Sequence, residues 1–379
     1  MTVDDEESRI RIMHGGPFYE LMSWLGLRKR GWRALCLALL AWVVPVLMLL
    51  STGGAYLAGL FLQDWGAWAK FLIAPILLTL SEKPIAFAID ECTSLVFRVP
   101  LLASVSRTEG RKALERARER TVATIPEAIC LLLAFAASGA NAASFLGGNA
   151  PSWASSAASQ TLAGVWCLAV SNTIYWFLLS RLIWKHLVWA AFLSDISDCR
   201  LRLVVTHPDD HAGLGFLGFY PAGYGLFTLA VSCVAAAAIG HVMERQPLTP
   251  TLFTIICAAW LVIVTLYYVL PLFKPGAKIV ELKKKTILLA MAKATDYERW
   301  NERTTLGSNM CDDLQEEQFA ELHDIKPIWT AALRTSGLLI NRKNMVVLLV
   351  PALLPLLAAG AAFLPYSQLG PVVKRLLLL

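Results

Sequence analysis

Two histidines and two aspartates stand together in the sequence HPDDH, and such side chains are common metal ligands. His207 and His211 are four residues apart, a spacing that can place two ligands on one face of a helix. Pro208 disfavours that arrangement, because the residue before a proline is biased towards an extended conformation. Thr206 and Asp209 instead have the spacing of a helix capping box. We interpret the stretch as a helix start, keep His207, Asp209 and His211 as candidate metal ligands, and leave a substrate or proton site as a third alternative.

A second group of ionisable side chains interrupts the apolar run FLIAPILLTLSEKPIAFAID. If this run crosses a bilayer, Glu82 and Lys83 lie inside it, and each charge costs roughly 2.5 to 3.5 kcal/mol unless it is paired or wetted. Asp90 follows seven residues after Lys83 and falls on about the same helix face. Pro84 breaks the helix beside them, which suits a binding cavity. We predict that Glu82, Lys83 and Asp90 line an ion pathway; the alternative is a helix that enters only partway and leaves Glu82 and Lys83 at the interface.

Further polar residues extend this candidate pathway. Asn172 lies within a later apolar run, where a hydrogen bond to a neighbouring helix is the alternative role. His207 and Asp209 would lie at the mouth of the pathway. Arg181 and Lys185 follow the run that contains Asn172, and we expect their long side chains to reach the lipid headgroups.

Helices must position these residues, because the composition is that of a membrane protein. Of 379 residues, 56% are apolar and 16% are charged, whereas a soluble domain carries roughly 25% charged residues. A bilayer core of about 30 Å needs roughly 20 apolar residues per helix. We therefore predict an all-α fold, a polytopic transmembrane helical bundle. The six runs that meet this need are 34–62, 69–97, 125–147, 161–180, 212–242 and 252–273.

A seventh apolar segment, 345–365, contains Pro351 and Pro355 and either spans the membrane or dips into it and returns. The N-terminus lacks the apolar core and the cleavage site of a signal peptide, so we expect the first span to remain in the mature protein. The predicted organisation is an N-terminal cytoplasmic segment 1–33, a transmembrane domain 34–273, a cytoplasmic helical region 274–344, and a C-terminal membrane segment and tail 345–379.

Lysine and arginine occur mainly in alternate loops, and this pattern gives the expected orientation because short basic loops stay in the cytoplasm. The intervening loops LQDWGAW, GGNAPSWASSAASQ and MERQPLTP hold almost no positive charge. We predict a cytoplasmic N-terminus. The net charge of +6 is explained by basic loops beside anionic lipid, so nucleic acid is not an expected partner. The lipid bilayer is the expected partner, self-association into a homo-oligomer is left open, and no cofactor is expected.

One stretch resembles a known family. The run RLIWKHLVWAAFLSDISDCRLRLVVTHPDDHAGLGFLG is similar to part of a family of uncharacterised bacterial polytopic inner-membrane proteins, in which HPD is followed closely by GGLGFL. The HPD at 207–209 and the GLGFL at 213–217 match. Ala212 stands where the family has its first glycine, and His211 stands at a variable position, which weakens a metal pair with His207. The resemblance implies a bacterial inner-membrane protein and brings no activity.

Two functions from different classes remain. The chain lacks GxSxG, HExxH and Walker sequences, so we do not expect an enzyme. Charges inside the membrane favour an ion or small-solute channel or transporter, with the solute unidentified. The alternative is a non-transporting scaffold or signalling component that binds a partner through two cytoplasmic stretches, Arg107 to Arg120 and Lys278 to Arg334. The first of these is charged on most faces and is predicted to be a solvated helix.

Overall fold

The fold is all-α. A computed structural model describes residues 9–156, 159–246, 248–311, 323–340, 342–365 and 370. Within these ranges, seven helices are long and apolar enough to cross a membrane, and the predicted helical bundle is confirmed.

The helices are numbered in chain order. They are α1 (Pro17–Trp24), α2 (Arg30–Gln63), α3 (Trp65–Arg98), α4 (Arg107–Val122), α5 (Thr124–Asn149), α6 (Leu162–Asp198), α7 (Gly215–Arg245), α8 (Pro250–Leu306), α9 (Lys326–Arg334) and α10 (Arg342–Phe363). The strands β1 (Ser155–Ser156) and β2 (Ser159–Gln160) form an antiparallel pair between α5 and α6. We call the end that carries residues 9–24 and α4 the basic end, and the end that carries the strand pair the hairpin end.

Several helices extend beyond the apolar runs that predict them. α6 continues to Asp198 and α8 to Leu306, because helix-forming charged residues follow the apolar segments. The segment 345–365 is a helix despite Pro351 and Pro355, and α10 packs along α7 and α8. Prolines are tolerated in such helices where neighbouring helices surround the freed backbone groups.

The predicted solvated helix α4 is buried along one face. Gly110, Ala113, Leu114 and Ala117 are buried, and their spacing forms one stripe that faces α6. Small residues on this stripe allow α4 to lie against the bundle while its charged residues stay on the other faces.

Four of the spanning helices contain a π-helical turn; one is the last turn of α5, Phe145–Asn149, and the other three are interior turns. The interior turns are Leu39–Val43 in α2, Trp68–Ile73 in α3 and Cys167–Ser171 in α6. A π turn frees a backbone carbonyl from the regular hydrogen-bond pattern. Ser171 Oγ donates to the carbonyl of Ala41 at 2.7 Å, and Trp166 Nε1 donates to that of Leu40 at 3.0 Å. The side chains of α6 therefore satisfy the π turn of α2.

The centre of the bundle is aromatic. His186 of α6 stacks on Tyr267 of α8 with ring centroids 4.0 Å apart, and its Nε2 lies 3.0 Å from the Tyr267 carbonyl oxygen. Tyr224 of α7 meets the same imidazole edge-on at 5.2 Å. These contacts hold α6, α7 and α8 together.

Candidate functional site

Buried charges from three spanning helices meet near the basic end. Glu82 of α3 accepts from Arg181 of α6, with Oε1 2.7 Å from Nη1. Its second oxygen lies 3.0 Å from Nη2 of Arg33, in the first turn of α2. All three side chains are at most 3% exposed. One carboxylate thus joins α2, α3 and α6.

A second carboxylate extends this cluster to α5. Glu127 Oε1 lies 3.1 Å from Arg181 Nε, and Oε2 accepts from the backbone N–H of Phe18 at 2.8 Å. Gly16 lies against the same carboxylate, and its φ of 93° is the left-handed region that favours glycine. We call Arg33, Glu82, Glu127 and Arg181 the charge cluster.

The charge cluster lies at one depth of the bundle. A rise of 1.5 Å per residue places Glu82 about 26 Å along α3 from Trp65 and Arg181 about 29 Å along α6 from Leu162. Both distances are close to the thickness of the hydrocarbon core, about 30 Å. The cluster therefore lies at the edge of the apolar layer, at the basic end.

Cations exceed acids around the charge cluster. Lys185 is fully buried, and its Nζ donates to the carbonyl of Thr121, at 2.5 Å, near the end of α4. In the described part of the chain, Arg33 Nε and Arg181 Nη2 are buried without a hydrogen-bond acceptor. Glu82 and Glu127 thus hold two guanidinium groups beside a third buried cation.

Residues 9–24, which we call the N-terminal cap, cover the charge cluster. The Phe18 ring lies 4.9 Å from the Arg181 guanidinium carbon and 5.9 Å from that of Arg33. Ile10, Ile12 and Met13 are buried in the main core. The cap does not span the bilayer. It contacts the bundle through side-chain packing and a few hydrogen bonds.

The structure places the predicted pathway residues in different settings. Glu82 lies in the charge cluster, whereas Lys83, the next residue, is exposed. Asp90 is partly buried and accepts from the backbone N–H of Arg11 at 2.9 Å, so it holds the N-terminal cap. The prediction that Arg181 and Lys185 reach the headgroups is wrong, because Glu82, Glu127 and the Thr121 carbonyl hold their charged ends inside the protein.

Asn172 belongs to a polar network between α5 and α6. Its Nδ2 donates to Ser138 Oγ at 3.0 Å, and its Oδ1 accepts from Asn141 Nδ2 at 3.1 Å. Ser138 Oγ is also 2.9 Å from Thr173 Oγ1. The network continues the polar α5–α6 interface from the charge cluster towards the hairpin end.

Sequence reasoning did not find Arg33, Glu127 or Phe18 as site residues. Glu127 is the single acid within the predicted span 125–147, and that isolation was the available signal. In the sequence, Arg33 looks like an ordinary charge that flanks the first span, and Phe18 looks like an ordinary apolar residue. Their contacts depend on how distant helices pack, which local spacing does not show.

The HPDDH stretch is a tight loop before α7. Asp209 accepts from the backbone N–H groups of His211, Gly213 and Gly215 at 2.8–3.1 Å. Partial burial acts to raise the pKa of Asp209, but these hydrogen bonds and one from His207 lower it below its ordinary value of 3.8. The Asp209 carboxylate therefore holds the loop closed by accepting hydrogen bonds from the loop's own backbone.

The candidate metal ligands His207 and His211 contact different parts of the chain. His207 Nδ1 lies 2.8 Å from Asp209 Oδ1, whereas His211 Nδ1 lies 2.9 Å from the carbonyl oxygen of Ser336. Across the residues that the structure describes, no group of three histidine, cysteine or acidic side chains is arranged to hold a metal ion. His211 instead ties the loop to the segment after α9.

That segment, residues 335–340, packs tightly on the loop and on the start of α7. Ser336 N–H donates to the Asp210 carbonyl at 2.9 Å, and Thr335 Oγ1 donates to that of Val205 at 3.2 Å. Gly218 meets the Leu339 carbonyl so closely that a Cβ would overlap it. We call this arrangement the loop clamp.

Replacing Asp209 with asparagine is expected to destabilise the loop clamp by about 1–3 kcal/mol, because an amide nitrogen would face backbone N–H donors. The matched control is Asp210→Asn, which removes the same charge from an exposed neighbour. Melting temperatures in detergent micelles measure both. Because the pKa of Asp209 is lowered on folding, its contribution is present above its unfolded pKa, near 4, and is lost as the pH falls through its lower folded value. Equal melting temperatures for the two variants would contradict a structural role for Asp209.

The fold defines a class: a polytopic integral membrane protein with a buried charge cluster beneath an N-terminal cap. No family model, curated protein or solved structure matches the chain.

Proposed function

We propose that the protein is an ion or small-solute channel or transporter, and that the charge cluster with the N-terminal cap forms its closed inner gate. One observation carries the proposal. Glu82 joins buried arginines from two other spanning helices, beneath a segment that does not itself span.

The charges themselves favour a functional role. Buried ion pairs cost so much desolvation that apolar residues of similar size often stabilise a protein equally well. Ionisable residues within membrane spans commonly mark ion or substrate pathways. A cluster that joins three spanning helices can also hold them in one arrangement and release them together.

The N-terminal cap has the properties of a removable cover. It meets the cluster through the Phe18 ring, Gly16 and one backbone hydrogen bond to Glu127. Its other contacts include apolar packing on the core and the hydrogen bond from Arg11 to Asp90, neither of which involves the backbone of a spanning helix. Leaving the cluster would uncover charged side chains to water without moving a spanning helix out of the bilayer. The basic loops at this end favour a cytoplasmic N-terminus. The resemblance at HPD and GLGFL favours a bacterial inner membrane.

We also propose that the resemblance at HPD and GLGFL reflects the loop clamp. The matching Asp209 closes the loop, and Gly218, the residue that follows the matching GLGFL, receives the segment 335–340. This gives the resembling residues a structural role, separate from the pathway.

Phe18→Ala tests the gate. The change removes roughly 2 kcal/mol of apolar burial, and 1.4 kcal/mol corresponds to a factor of ten in an equilibrium. We expect potassium or chloride flux in proteoliposomes, recorded with and without an imposed voltage, to rise about thirtyfold if the cap holds the closed state. Leu21→Ala is the matched control, because Leu21 lies in the same helix and is 50% exposed.

Absence of ion flux would contradict the gate proposal. If neither ion crosses in the wild type or in Phe18→Ala, and both elute as folded protein in size-exclusion chromatography, the gate proposal fails. The N-terminal cap would then be a structural anchor.

A second candidate, a scaffold that binds a partner, is favoured by the far part of α8. Leu288 and Leu289 are 68% and 70% exposed. At 1.5 Å per residue they lie about 57 Å along α8 from Pro250, beyond the thickness of a bilayer. Exposed apolar residues outside the membrane are a feature of interaction surfaces. Residues 312–322, within the predicted partner-binding stretch, lie outside the described residues.

A further inference from the structure

A cavity opens at the hairpin end, on the opposite side of the bundle from the charge cluster. Its volume is about 530 Å³, and Asp64, Trp153, His241 and Glu244 contribute to its wall. Asp64 lies at the corner between α2 and α3, Trp153 lies just before the strand pair, and the other two residues lie at the end of α7. Three separate parts of the chain meet here.

The imidazole of His241 lies between two carboxylates. Nε2 is 3.1 Å from Asp64 Oδ1, and Nδ1 is 3.2 Å from Glu244 Oε2. An ionised carboxylate only accepts hydrogen bonds, and a neutral imidazole has one N–H donor. Both contacts can therefore be hydrogen bonds to ionised carboxylates only when the imidazole carries two protons.

Asp64 is held in its ionised form by other donors. Its Oδ1 accepts from the backbone N–H of Gly66 at 2.7 Å, and its Oδ2 accepts from Trp153 Nε1 at 2.7 Å. Burial acts to raise the pKa of Asp64, but hydrogen bonds from His241 and Trp153 lower it below its ordinary value. The proton of this group of residues is therefore assigned to His241.

The surroundings contain few other charges. Among the described cavity-lining residues, the α2–α3 corner contributes Asp64, the loop before the strand pair contributes no charged side chain, and α7 contributes Glu244 and Arg245. α10 packs on the same part of α7 through Phe363, which lies 3.5 Å from the Cβ position of Gly240. The His241 side chain is 39% exposed, so protons reach it from the solvent.

We propose that Asp64, His241 and Glu244 form a proton-binding site that holds the end of α7 against the α2–α3 corner. Loss of the proton leaves a nitrogen lone pair facing a carboxylate oxygen at one of the two contacts. The attraction at that contact then becomes a repulsion, and α7 is released from the corner or from its own last turn. The proposal concerns the hairpin end alone and does not depend on transport through the charge cluster.

Chemical modification tests the proton directly, because diethyl pyrocarbonate reacts with neutral imidazole. We expect His241, followed by mass spectrometry at pH 7 on the full-length protein in micelles, to react more slowly than exposed His14. Glu244→Gln should raise the rate at His241 about two- to fivefold, the factor for one exposed ion pair. The rate at His14 in the same sample is the internal control.

The melting temperature tests whether the protonated His241 holds the end of α7 against the α2–α3 corner. The bonded imidazolium contributes stability at low pH, and the contribution is lost as the pH rises and His241 loses its proton. We expect the melting temperature of the wild type to fall between pH 5.5 and pH 8.5 by more than that of His241→Gln. Glu244→Gln is preferred to Asp64→Asn as a second variant, because Asp64 also caps the first turn of α3.

Two outcomes would overturn the proposal. One is a modification rate at His241 that equals that of His14 and does not change in Glu244→Gln. The other is a pH dependence of melting that is the same in the wild type and His241→Gln.

Discussion

Glu82→Gln is expected to destabilise the protein by about 3–5 kcal/mol, because removing one partner of a buried ion pair leaves an uncompensated charge. Here one carboxylate serves two arginines, at 2.7 and 3.0 Å, and all three side chains are nearly inaccessible to solvent. Glutamine keeps the shape and one carbonyl oxygen but loses the negative charge. The measurement is the midpoint of thermal or denaturant unfolding in micelles.

Lys83→Met is the control for this change. It also removes one charge at an adjacent position in the same helix, but Lys83 is exposed, so the effect should be within about 0.5 kcal/mol. A second variant, Glu82→Gln with Arg33→Met, should recover part of the loss because it removes the cation that pairs with Glu82, whereas Arg181 keeps its contact with Glu127. Unfolding midpoints that coincide for the wild type and Glu82→Gln would show that the two arginines are compensated by something other than Glu82.

Gly218→Ala is expected to detach the segment 335–340 from the start of α7. The new methyl group would overlap the Leu339 carbonyl, which is backbone and cannot rotate away as a side chain can. Overpacking of this kind costs about 1–3 kcal/mol, and more where backbone must move. Limited proteolysis should then cut within 335–340 while the spanning helices remain intact.

Gly225→Ala separates this clash from the general effect of replacing a glycine. Gly225 is the first residue of the regular α-helical part of α7, and a Cβ there meets open space. Alanine should be neutral or stabilising at this position because its helix propensity is higher by about 1 kcal/mol. Equal protease resistance of the two variants would mean that the close contact at Gly218 does not hold the segment.

The spanning helices were predictable from sequence because each needs a long apolar run, and that requirement is local. The partners of Glu82 were not, because Arg33 and Arg181 lie 49 and 99 residues away from it in the chain. Their side chains meet only after three helices have packed, and flanking arginines in a membrane protein ordinarily reach the headgroups. The charge cluster is a tertiary feature.

The HPDDH stretch shows how a local pattern can be partly informative. The capping-box spacing predicts a helix start in which Asp209 accepts from the backbone N–H of Thr206. Asp209 does accept backbone hydrogen bonds, but its donors are His211, Gly213 and Gly215, so the predicted helix start is wrong. The helix begins only at Gly215, because Asp210, Ala212 and Gly213 have positive φ angles of 54°, 57° and 94°. Those conformations bring the N–H groups of Gly213 and Gly215 to the Asp209 carboxylate, and the Asp210 carbonyl also accepts from Ser336, which lies far away in the sequence.

The π-helical turns of α2, α3 and α6 have a mechanical consequence. They lie on neighbouring helices that contact one another, so the three turns form one layer of the bundle nearer the hairpin end than the charge cluster. Regular backbone hydrogen bonding is interrupted at this layer in all three helices at once. Bending of α2, α3 and α6 there disrupts fewer regular backbone hydrogen bonds than bending elsewhere in these helices. Any tilt of their charge-cluster ends relative to their hairpin ends would therefore concentrate at this layer.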